Sequence, residues 1–533
     1  MSQVSVTNVD TAAAPIWRPK HNQWAVAMTV TLATFMEVLD TSIANVALPH
    51  IAGSLSAGQD ESTWVLTSYL VSNAIVLPIS AWASDRIGRK RFYMTCVLLF
   101  TLSSLLCGLS TTLPMLIFCR ILQGAGGGGL GPSEQAILAD TFLPEQRGMG
   151  FAMYGMAVVL APAIGPTLGG YLTDNYSWHW IFFINVPIGL ISLFLTSRMV
   201  EDPPWIGDAQ VKAKHSPVDY MGLSLIAVGL GALQVVLDKG QREDWLASHF
   251  IQIFTVVTVV GLLGFIVWEW REPHPILNLR LLKNSNFAVS NVLMFTLGAV
   301  LYGSTVLIPQ FLETVMGYSA QLAGMALSPG GLVVMALMPL VGTLVSRVDP
   351  RKLIAFGFIT LAASMFHMSS IYLGIDFKTA MMYRVFQSIG LAFLFVPINT
   401  LCYAGVPQEQ NNQISAMINL MRNLGGSFGI SFVTTMLSRR MQVHQVTLSA
   451  HTANSGQMQN MLHSMSSMFA TRLGAGPAAM QRAYGSIYGT MQQQAAVLAY
   501  RDTILAMAIF TIVVMPLVLL ARKPKPGGAP FGH

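Results

Sequence analysis

Long apolar segments follow one another along this chain, separated by short breaks at glycine, proline or charged residues. A run of about 20 apolar residues is long enough to cross a bilayer as a helix. Charged residues make up 10% of the 533 residues, whereas a soluble domain carries about 25%. The sequence therefore predicts an all-α integral membrane protein, because backbone groups in lipid are satisfied only within helices or closed barrels.

Fourteen such segments can be distinguished. They lie near residues 24–48, 63–84, 92–110, 115–133, 148–172, 180–199, 219–238, 249–270, 286–309, 322–345, 352–374, 380–402, 412–437 and 503–521. If the N-terminus is cytoplasmic, the short outer loops keep only Lys239, Arg242 and Lys378. Most other basic residues then lie inside, so the positive-inside rule predicts that both termini are cytoplasmic. The net charge of +6 reports topology, and no nucleic-acid partner is expected.

The first segment carries two acids, Glu37 and Asp40, within the stretch TFMEVLDTSIANVALP. Residues three apart share one face of a helix, and an acid near the bilayer centre costs about 2.5–3.5 kcal/mol. At least one of the pair could therefore hold a proton near neutral pH and carry it across the membrane. The alternative is that both carboxylates are structural and bind Thr34, Thr41, Asn45 or a neighbouring helix.

The fourth segment contains Arg120 and Gln123 in the order RILQG. A guanidinium cannot be neutralised by deprotonation, so Arg120 needs a partner inside the membrane. At about 1.5 Å of helix rise per residue, Arg120 and Asp40 lie at similar depths, roughly 8 and 12 Å from the outer ends of their segments. We expect Arg120 to approach Asp40 and to set when its proton leaves.

The turn between the second and third segments reads AWASDRIGRKR, residues 81–91. Gly88 permits a sharp reversal, and the arginine cluster holds the turn inside. This turn resembles the signature loop of the major facilitator superfamily, in which the aspartate and the first arginine form a latch between two helix bundles. The resemblance implies a conformational latch at Asp85, Arg86, Gly88 and Arg89.

Two further patterns resemble motifs of the same superfamily. The RILQG pattern at Arg120 is similar to its proton-transfer motif. The fifth segment contains APAIGPTLGG, residues 161–170, which resembles the antiporter motif of its exporters and implies export. The residues of this motif are Gly165, Pro166, Gly169 and Gly170. Small residues also form flat faces on which helices pack, and that simpler role is the alternative.

A polar, proline-containing linker at residues 201–218 divides the chain. Beyond it, Arg384 and Gln387 repeat the spacing of Arg120 and Gln123 at an offset of 264 residues. Six repeated segments cannot give fourteen by doubling, so we predict a 6+2+6 arrangement, which resembles the second, 14-span drug:proton antiporter family. The predicted divisions are a cytoplasmic tail 1–23, a six-helix bundle 24–200, the linker 201–218, two inserted helices 219–270, a second six-helix bundle 271–521 with an exterior loop 439–500, and a cytoplasmic tail 522–533.

Polar residues in several segments are candidates for a substrate cavity. Tyr69 and Asn73 lie on the polar stripe of the second segment. Arg422 falls near the middle of the thirteenth, where it could face Glu37 or an anionic part of a substrate. Such residues can equally join helices together. The full set of candidates is Tyr69, Asn73, Gln123, Arg384, Arg422 and Asn423.

The exterior segment 439–500 is long for a loop and rich in Gln, Met, Ala and Ser. It is either an unstructured insert or a docking surface with amphipathic helix near residues 478–498. The family resemblance implies a pump of the inner membrane of a Gram-negative bacterium that joins a periplasmic membrane-fusion adaptor and an outer-membrane channel. Glu37 stands where that resemblance implies a neutral amide.

Together these patterns predict a proton-coupled multidrug efflux transporter that exports hydrophobic toxic compounds. We expect no cofactor and no metal, because the proton gradient drives transport. The sequence has no GxxxxGK[ST] loop for ATP and no nucleophile with a base, so an enzyme is not expected. Two alternatives stay open: a dedicated exporter of one siderophore or organic anion, which Arg384 and Arg422 would favour, and a non-transporting receptor or scaffold.

Overall fold

The structure is a computed structural model that describes residue 17 and residues 19–215, 217–452, 456–473 and 477–523. Within these ranges every regular element is a helix and no strand occurs. This confirms the predicted all-α fold. Most of the predicted tail 1–23 and all but the first two residues of the predicted tail 522–533 lie outside the described residues.

Nineteen α-helices are described. They are α1 (Gln23–Ser54), α2 (Gln59–Ser62), α3 (Trp64–Ile87), α4 (Arg89–Gly108), α5 (Leu113–Thr141), α6 (Arg147–Asn175), α7 (Trp180–Phe183), α8 (Asn185–Met199), α9 (Pro204–His215), α10 (Tyr220–Lys239), α11 (His249–Arg271), α12 (Ser285–Thr314), α13 (Ala320–Met325), α14 (Ser328–Leu344), α15 (Pro350–Met368), α16 (Phe377–Cys402), α17 (Asn411–Thr452), α18 (Gly456–Leu473) and α19 (Pro477–Val514).

Helices occupy all fourteen predicted segments. Among the described residues, twelve of these segments are long and apolar enough to qualify as membrane spans. The two others are α15 and α17. Helix α15 begins with Arg351 and Lys352 next to each other, and α17 carries many polar residues along its length. These residues lower the mean hydropathy of both helices, so the count of fourteen spans stays a prediction.

Two connecting segments contain more helix than the sequence indicated. The predicted linker 201–218 contains α9, and the predicted exterior loop 439–500 is helical wherever the structure describes it. Helix α17 continues to Thr452, and α19 runs without a break from Pro477 into the last apolar segment. The chain therefore extends beyond the apolar bundle as helices.

Helix beginnings follow ordinary capping chemistry. The side chain of Asn22 accepts a hydrogen bond from the backbone N–H of Trp24 at 2.9 Å, and Asp219 accepts one from Gly222 at 2.8 Å. Each supplies a partner to an N–H group that has none inside the helix. Gly88, with φ +101°, reverses the chain between α3 and α4, a backbone conformation that a side chain would strain.

The helices pack as two groups that meet along α17 and along α6, which packs on α13, α14 and α16. In the first group α1 lies against α6 and α8, and α5 lies between α3 and α4. In the second, α12 packs on α17, and α16 packs on α14 and α15. Helix α17 also contacts α3 and α5, while α10 packs on α11 and touches both α3 and α17. The 6+2+6 division stays a prediction.

Helix α5 approaches its neighbours closely because glycines lie at its contacts. A Cβ added to Gly126 would lie 2.7 Å from the backbone nitrogen of Phe100 and 2.9 Å from the carbonyl oxygen of Cys96, both on α4. On another side of α5, a Cβ on Gly128 would lie 2.6 Å from the carbonyl oxygen of Asn73 on α3. Backbone atoms cannot move aside as a flexible side chain can, so these positions require glycine.

Replacing Gly126 by alanine should therefore destabilise the protein, because overpacking typically costs about 1–3 kcal/mol. We expect a lower midpoint of thermal unfolding for the detergent-solubilised Gly126→Ala variant. The matched control is Gly170→Ala, where an added Cβ meets no atom within 4 Å. There the gain of about 1 kcal/mol in helix propensity should leave stability unchanged or higher. Equal losses in both variants would contradict the packing argument.

Candidate functional site

A buried ion pair joins the first helix to the fifth. Nη1 of Arg120 lies 2.6 Å from Oδ2 of Asp40. Asp40 is 2% exposed and Arg120 is fully buried. The structure thus brings together Arg120 and Asp40, which were expected from the sequence to meet because they lie at similar depths in the membrane. Their part in proton coupling stays a prediction.

Two amides complete the surroundings of Asp40. Nε2 of Gln123 and Nδ2 of Asn185 donate to its Oδ1 at 2.9 and 2.7 Å. The side-chain oxygen of Gln123 in turn accepts from Arg120 at 2.8 Å. Asp40 thus receives three hydrogen bonds from buried donors, and the one from Arg120 is charge-assisted.

Sequence reasoning did not select Asn185 as a site residue. It lies in the stretch IFFINVPIG, where it is the one amide in an otherwise apolar run. That isolation was the available signal, since a polar group inside a membrane segment needs a partner. Its side chain also lies 3.1 Å from the hydroxyl of Ser104.

Arg120 is held from several sides. Its Nε donates to the carbonyl oxygen of Val65 at 3.1 Å. Its Cζ lies 4.2 Å from the centre of the Tyr69 ring, within the range of a cation–π contact. Helix α3 therefore contributes a carbonyl oxygen and an aromatic face to the same guanidinium.

Glu37 lies one turn from Asp40 but has different partners. Its Oε1 accepts from the hydroxyl of Tyr69 at 3.1 Å and from Nδ2 of Asn73 at 3.2 Å. Arg422 acts on it electrostatically from α17. Glu37 is partly buried, whereas Asp40 is buried. The two acids share a helix face, as predicted, yet Asp40 faces the first group of helices and Glu37 faces the region between the groups.

Further polar contacts near Glu37 join α17 to the first group of helices. The hydroxyl of Tyr154 donates to Oδ1 of Asn419 at 2.6 Å and accepts from Arg422. Asn423 lies at hydrogen-bond distance from Asn73, with Nδ2 and Oδ1 3.4 Å apart. Of the predicted cavity residues, Tyr69, Asn73, Arg422 and Asn423 therefore come together.

Arg384 lies apart from them, within the second group. It is 1% exposed and donates to Gln387 at 2.7 Å, to Ser304 at 3.2 Å and to Thr305 at 3.0 Å. No carboxylate pairs with it among the described residues. At the repeat offset of 264, Ser304 corresponds to Asp40. The second half thus repeats the arginine and glutamine of the first half without its acid.

The predicted latch residues lie where the two groups meet at one end of the helices. We call this end, which carries the turn 81–91, the basic end. Arg89 and Asp140 form a buried ion pair there, and Nε of Arg89 donates to Asn412 at 2.7 Å. Asp85 accepts a hydrogen bond from the same Asn412. Arg86 lies over the ring of Trp82, with Cζ 5.7 Å from its centre.

Three partners of the latch were not predicted: Asp140, Asn411 and Asn412. Asn411 donates to Asp140, so both asparagines at the start of α17 bind residues of the first group. Asp140 and the asparagines lie far from the signature loop in sequence. Only the fold brings them to it.

The predicted antiporter motif lies on α6. Gly165 packs against Ser42, and a Cβ on Gly169 would lie 3.0 Å from Cγ2 of Ile43, so both glycines face α1. Pro166 instead faces α13, where a Cβ on Gly324 would lie 2.8 Å from its ring. Gly170 meets no neighbour at its Cβ position. The motif therefore holds α6 between α1 and the second group.

The ion pair of Asp40 and Arg120 should make the two residues unequal in their effect on stability. Asp40→Asn leaves a guanidinium that cannot lose its proton, so we expect a loss of about 3–5 kcal/mol. Arg120→Gln should cost less, because the remaining carboxyl can take up a proton. Thermal unfolding in detergent measures both.

The control for that comparison is Asp244→Asn, which breaks the exposed pair with Arg439, whose side chains are 68% and 51% exposed. A surface pair contributes about 0–1 kcal/mol. If Arg120→Gln were as damaging as Asp40→Asn, the proposed cause of the difference would be wrong.

This chain is similar in sequence to known proteins over almost its whole length. The sequence model of the Major Facilitator Superfamily matches residues 30–430. The chain is 36% identical to the multidrug export protein EmrB of Escherichia coli K12, over 97% of this chain and 99% of that protein. It is also 36% identical to the fatty acid resistance protein FarB of Neisseria gonorrhoeae, over 95% and 97% of the two chains.

A solved structure has the same fold. The proton:xylose symporter XylE superposes with a TM-score of 0.57 at 14% identity, covering 94% of this chain and 99% of that one. Apolar helices long enough to span a membrane recur along the described chain, and the sequence match covers most of them. The protein is a multi-pass membrane protein that belongs to the Major Facilitator Superfamily, a family of transporters.

Proposed function

We propose that this protein is a proton-coupled multidrug efflux transporter that exports hydrophobic toxic compounds. The observation that carries the proposal is the buried Asp40, which Arg120, Gln123 and Asn185 hold one turn from a second acid, Glu37. A lone titratable group at this depth would be costly in lipid without a function. The similarity to a protein named for multidrug export supports the substrate class.

Protonation and substrate binding would exclude each other at these acids. A proton on Asp40 removes its negative charge and weakens the pull on Arg120. Without that proton, Asp40 returns to the ion pair, while Glu37, Tyr69 and Asn73 present a carboxylate and polar groups to a lipophilic cation. Release of one ligand thus accompanies uptake of the other, which is the requirement for antiport.

The latch at the basic end would determine from which side of the membrane Glu37 and Asp40 are accessible. By the positive-inside rule we assign the basic end and both termini to the cytoplasm, and the membrane to the bacterial inner membrane. The bonds of Asp85, Arg89 and Asp140 to the start of α17 then close the cytoplasmic side. Opening that side must break them, while Gly165 and Gly169 allow α6 to shift on α1. The proton gradient supplies the energy, with no cofactor.

The helices at the opposite end would dock a periplasmic membrane-fusion adaptor that leads to an outer-membrane channel. Helix α18 packs on α19 through Leu462, Ala483 and Ile487. Its other face leaves Met461 and Met468 about half exposed. Exposed apolar side chains in a row outside the membrane favour a protein partner.

The coupling proposal predicts proton release from purified, reconstituted protein when tetraphenylphosphonium, a lipophilic cation, is added. Asp40→Asn should bind the cation without releasing protons, because the titrating group has been replaced by an amide. A pH-sensitive dye follows the release, and equilibrium binding confirms that the variant is folded. Equal release from both proteins would make Asp40 structural and move the coupling to Glu37.

A second function within transport is favoured by Arg384, a buried cation without a carboxylate partner in the described chain. It could bind an organic anion, and the relative FarB is named for resistance to fatty acids. The same release assay separates the two: a response to one anionic metabolite or siderophore alone supports a dedicated exporter. Absence of any response would favour a non-transporting receptor or scaffold.

The docking proposal predicts that Met461→Glu combined with Met468→Glu lowers co-purification of a co-expressed membrane-fusion adaptor from the same organism. Two charges buried in an apolar contact lose their hydration, and an apolar adaptor surface offers no polar partner to compensate for that loss. The control, Gln459→Glu with His463→Glu, adds the same acids to other exposed positions of α18. Substrate-evoked proton release should be unchanged in both. Equal loss of adaptor from both variants would contradict a specific apolar contact.

A further inference from the structure

A third carboxyl group lies inside the first group of helices, apart from the motifs. Glu134 on α5 is fully buried. Its Oε1 accepts from the hydroxyl of Thr31 at 2.7 Å. The hydroxyl of Thr34 interacts with the same carboxyl group. Apart from that contact, neither Oε2 nor the Thr34 hydroxyl has a hydrogen-bond partner among the described residues. A proton on Oε2 could be donated to Thr34, which would satisfy both atoms at once.

Glu134 lies between the acids of α1 and the latch. Thr31, its partner, is six residues from Glu37 towards the basic end, or about 9 Å along the helix. The residue after Glu134 is Gln135, which binds Asn399 and Asn419 of the second group. These bonds join the first group to the second next to Glu134.

The latch itself begins within the next turn of α5. The carbonyl oxygen of Ala136 accepts from Arg89 at 3.1 Å, and Asp140 pairs with the same guanidinium. While the latch is closed, Glu134 is therefore separated from the basic end and can exchange a proton only with the groups above it.

The space between Glu37 and Glu134 is lined by polar groups. A Cβ added to Gly131, one turn from Glu134, would lie 3.2 Å from the hydroxyl of Tyr154, 3.4 Å from Oδ1 of Asn419 and 3.8 Å from Nη2 of Arg422. Because Gly131 has no side chain, the Tyr154 hydroxyl and the Asn419 oxygen pack directly against α5 one turn from Glu134. These are the polar groups through which a proton could pass between the two acids.

Charged and titratable groups from each neighbouring helix face Glu134. Arg422 on α17 interacts electrostatically with both Glu134 and Glu37. Tyr154 on α6 and Tyr93 on α4 interact with Glu134, and Thr31 and Thr34 face it from α1. A single cation thus acts on two acids, so a proton that moves from one acid to the other keeps the total charge near Arg422 constant.

We propose that Glu134 is a second proton-carrying site, which takes the proton from the acids of α1 and releases it at the basic end when the latch opens. In the first step the O–H bond at Glu37 or Asp40 breaks, and an O–H bond forms at Glu134. When the latch opens, Glu134 gives the proton to water and becomes a carboxylate again. The inference rests on the proposed proton-coupled function and adds Glu134 to the residues that carry the proton.

The test uses the full chain reconstituted in vesicles with tetraphenylphosphonium as the probe. Two activities are compared: transport driven by a proton gradient, and exchange of labelled for unlabelled cation without a gradient. For Glu134→Gln we expect driven transport to fall by about tenfold or more, as for loss of a proton-transfer group. Exchange should be unchanged, since the cation site is intact. Glu134→Asp should recover part of the driven transport.

The matched control is Glu269→Gln, which neutralises another fully buried carboxyl, on α11, away from the acids of α1. Its driven transport should equal that of the wild type. The proposal is overturned if Glu134→Gln keeps full driven transport. It is also overturned if driven transport and exchange fall together without recovery in Glu134→Asp, because that pattern reports a structural role. If the wild type shows no driven transport, the proposed function itself fails.

Discussion

A guanidinium that cannot lose its proton, buried where lipid offers no water, is the constraint on which the rest of this structure depends. Arg120 must find a negative partner and further acceptors inside the bundle. Asp40 on α1, Gln123 on α5 and a carbonyl oxygen of α3 supply them. Asn185 then brings α8 to the same carboxylate. Four helices are thereby fixed around one charge.

Helix α5 runs from that charge to the contacts at the basic end. From Arg120 it continues through Gly127 and Gly131, against which polar groups of neighbouring helices pack closely, to Glu134 and then to Asp140 in the latch. Gly126 and Gly128 let α4 and α3 approach α5 closely. The two ends of this helix bind different neighbours, α1 and α3 at Arg120 and α4 and α17 at Asp140. One helix therefore contacts both the buried ion pair and the latch.

The two halves of the chain are unequal in a way that suits a coupled transporter. Both contain an arginine bonded to a glutamine three residues later, but a serine replaces the acid in the second half. The titrating groups are concentrated in the first half. Helix α17 of the second half binds the first half at three levels, through Asn412 on Asp85, Asn419 on Gln135 and Arg422 on Tyr154. Movement between the halves would rearrange these bonds.

The sequence by itself determined the membrane class, the helical segments and the pairing of Asp40 with Arg120, because ionisable residues in lipid are costly enough to stand out and helix rise gives their depth. Asn185, Asn412 and Glu134 were not found from the sequence. Arg422 was considered as a partner of Glu37, but the bonds of Tyr69 and Asn73 to Glu37 were not predicted. Hydropathy gives depth, but the rotation of each helix and its neighbours depend on packing between segments distant in the chain. The low apolarity of α17 has a related cause. Its Asn412, Asn419 and Arg422 bind the other half of the protein instead of facing lipid, a placement that only the tertiary structure decided.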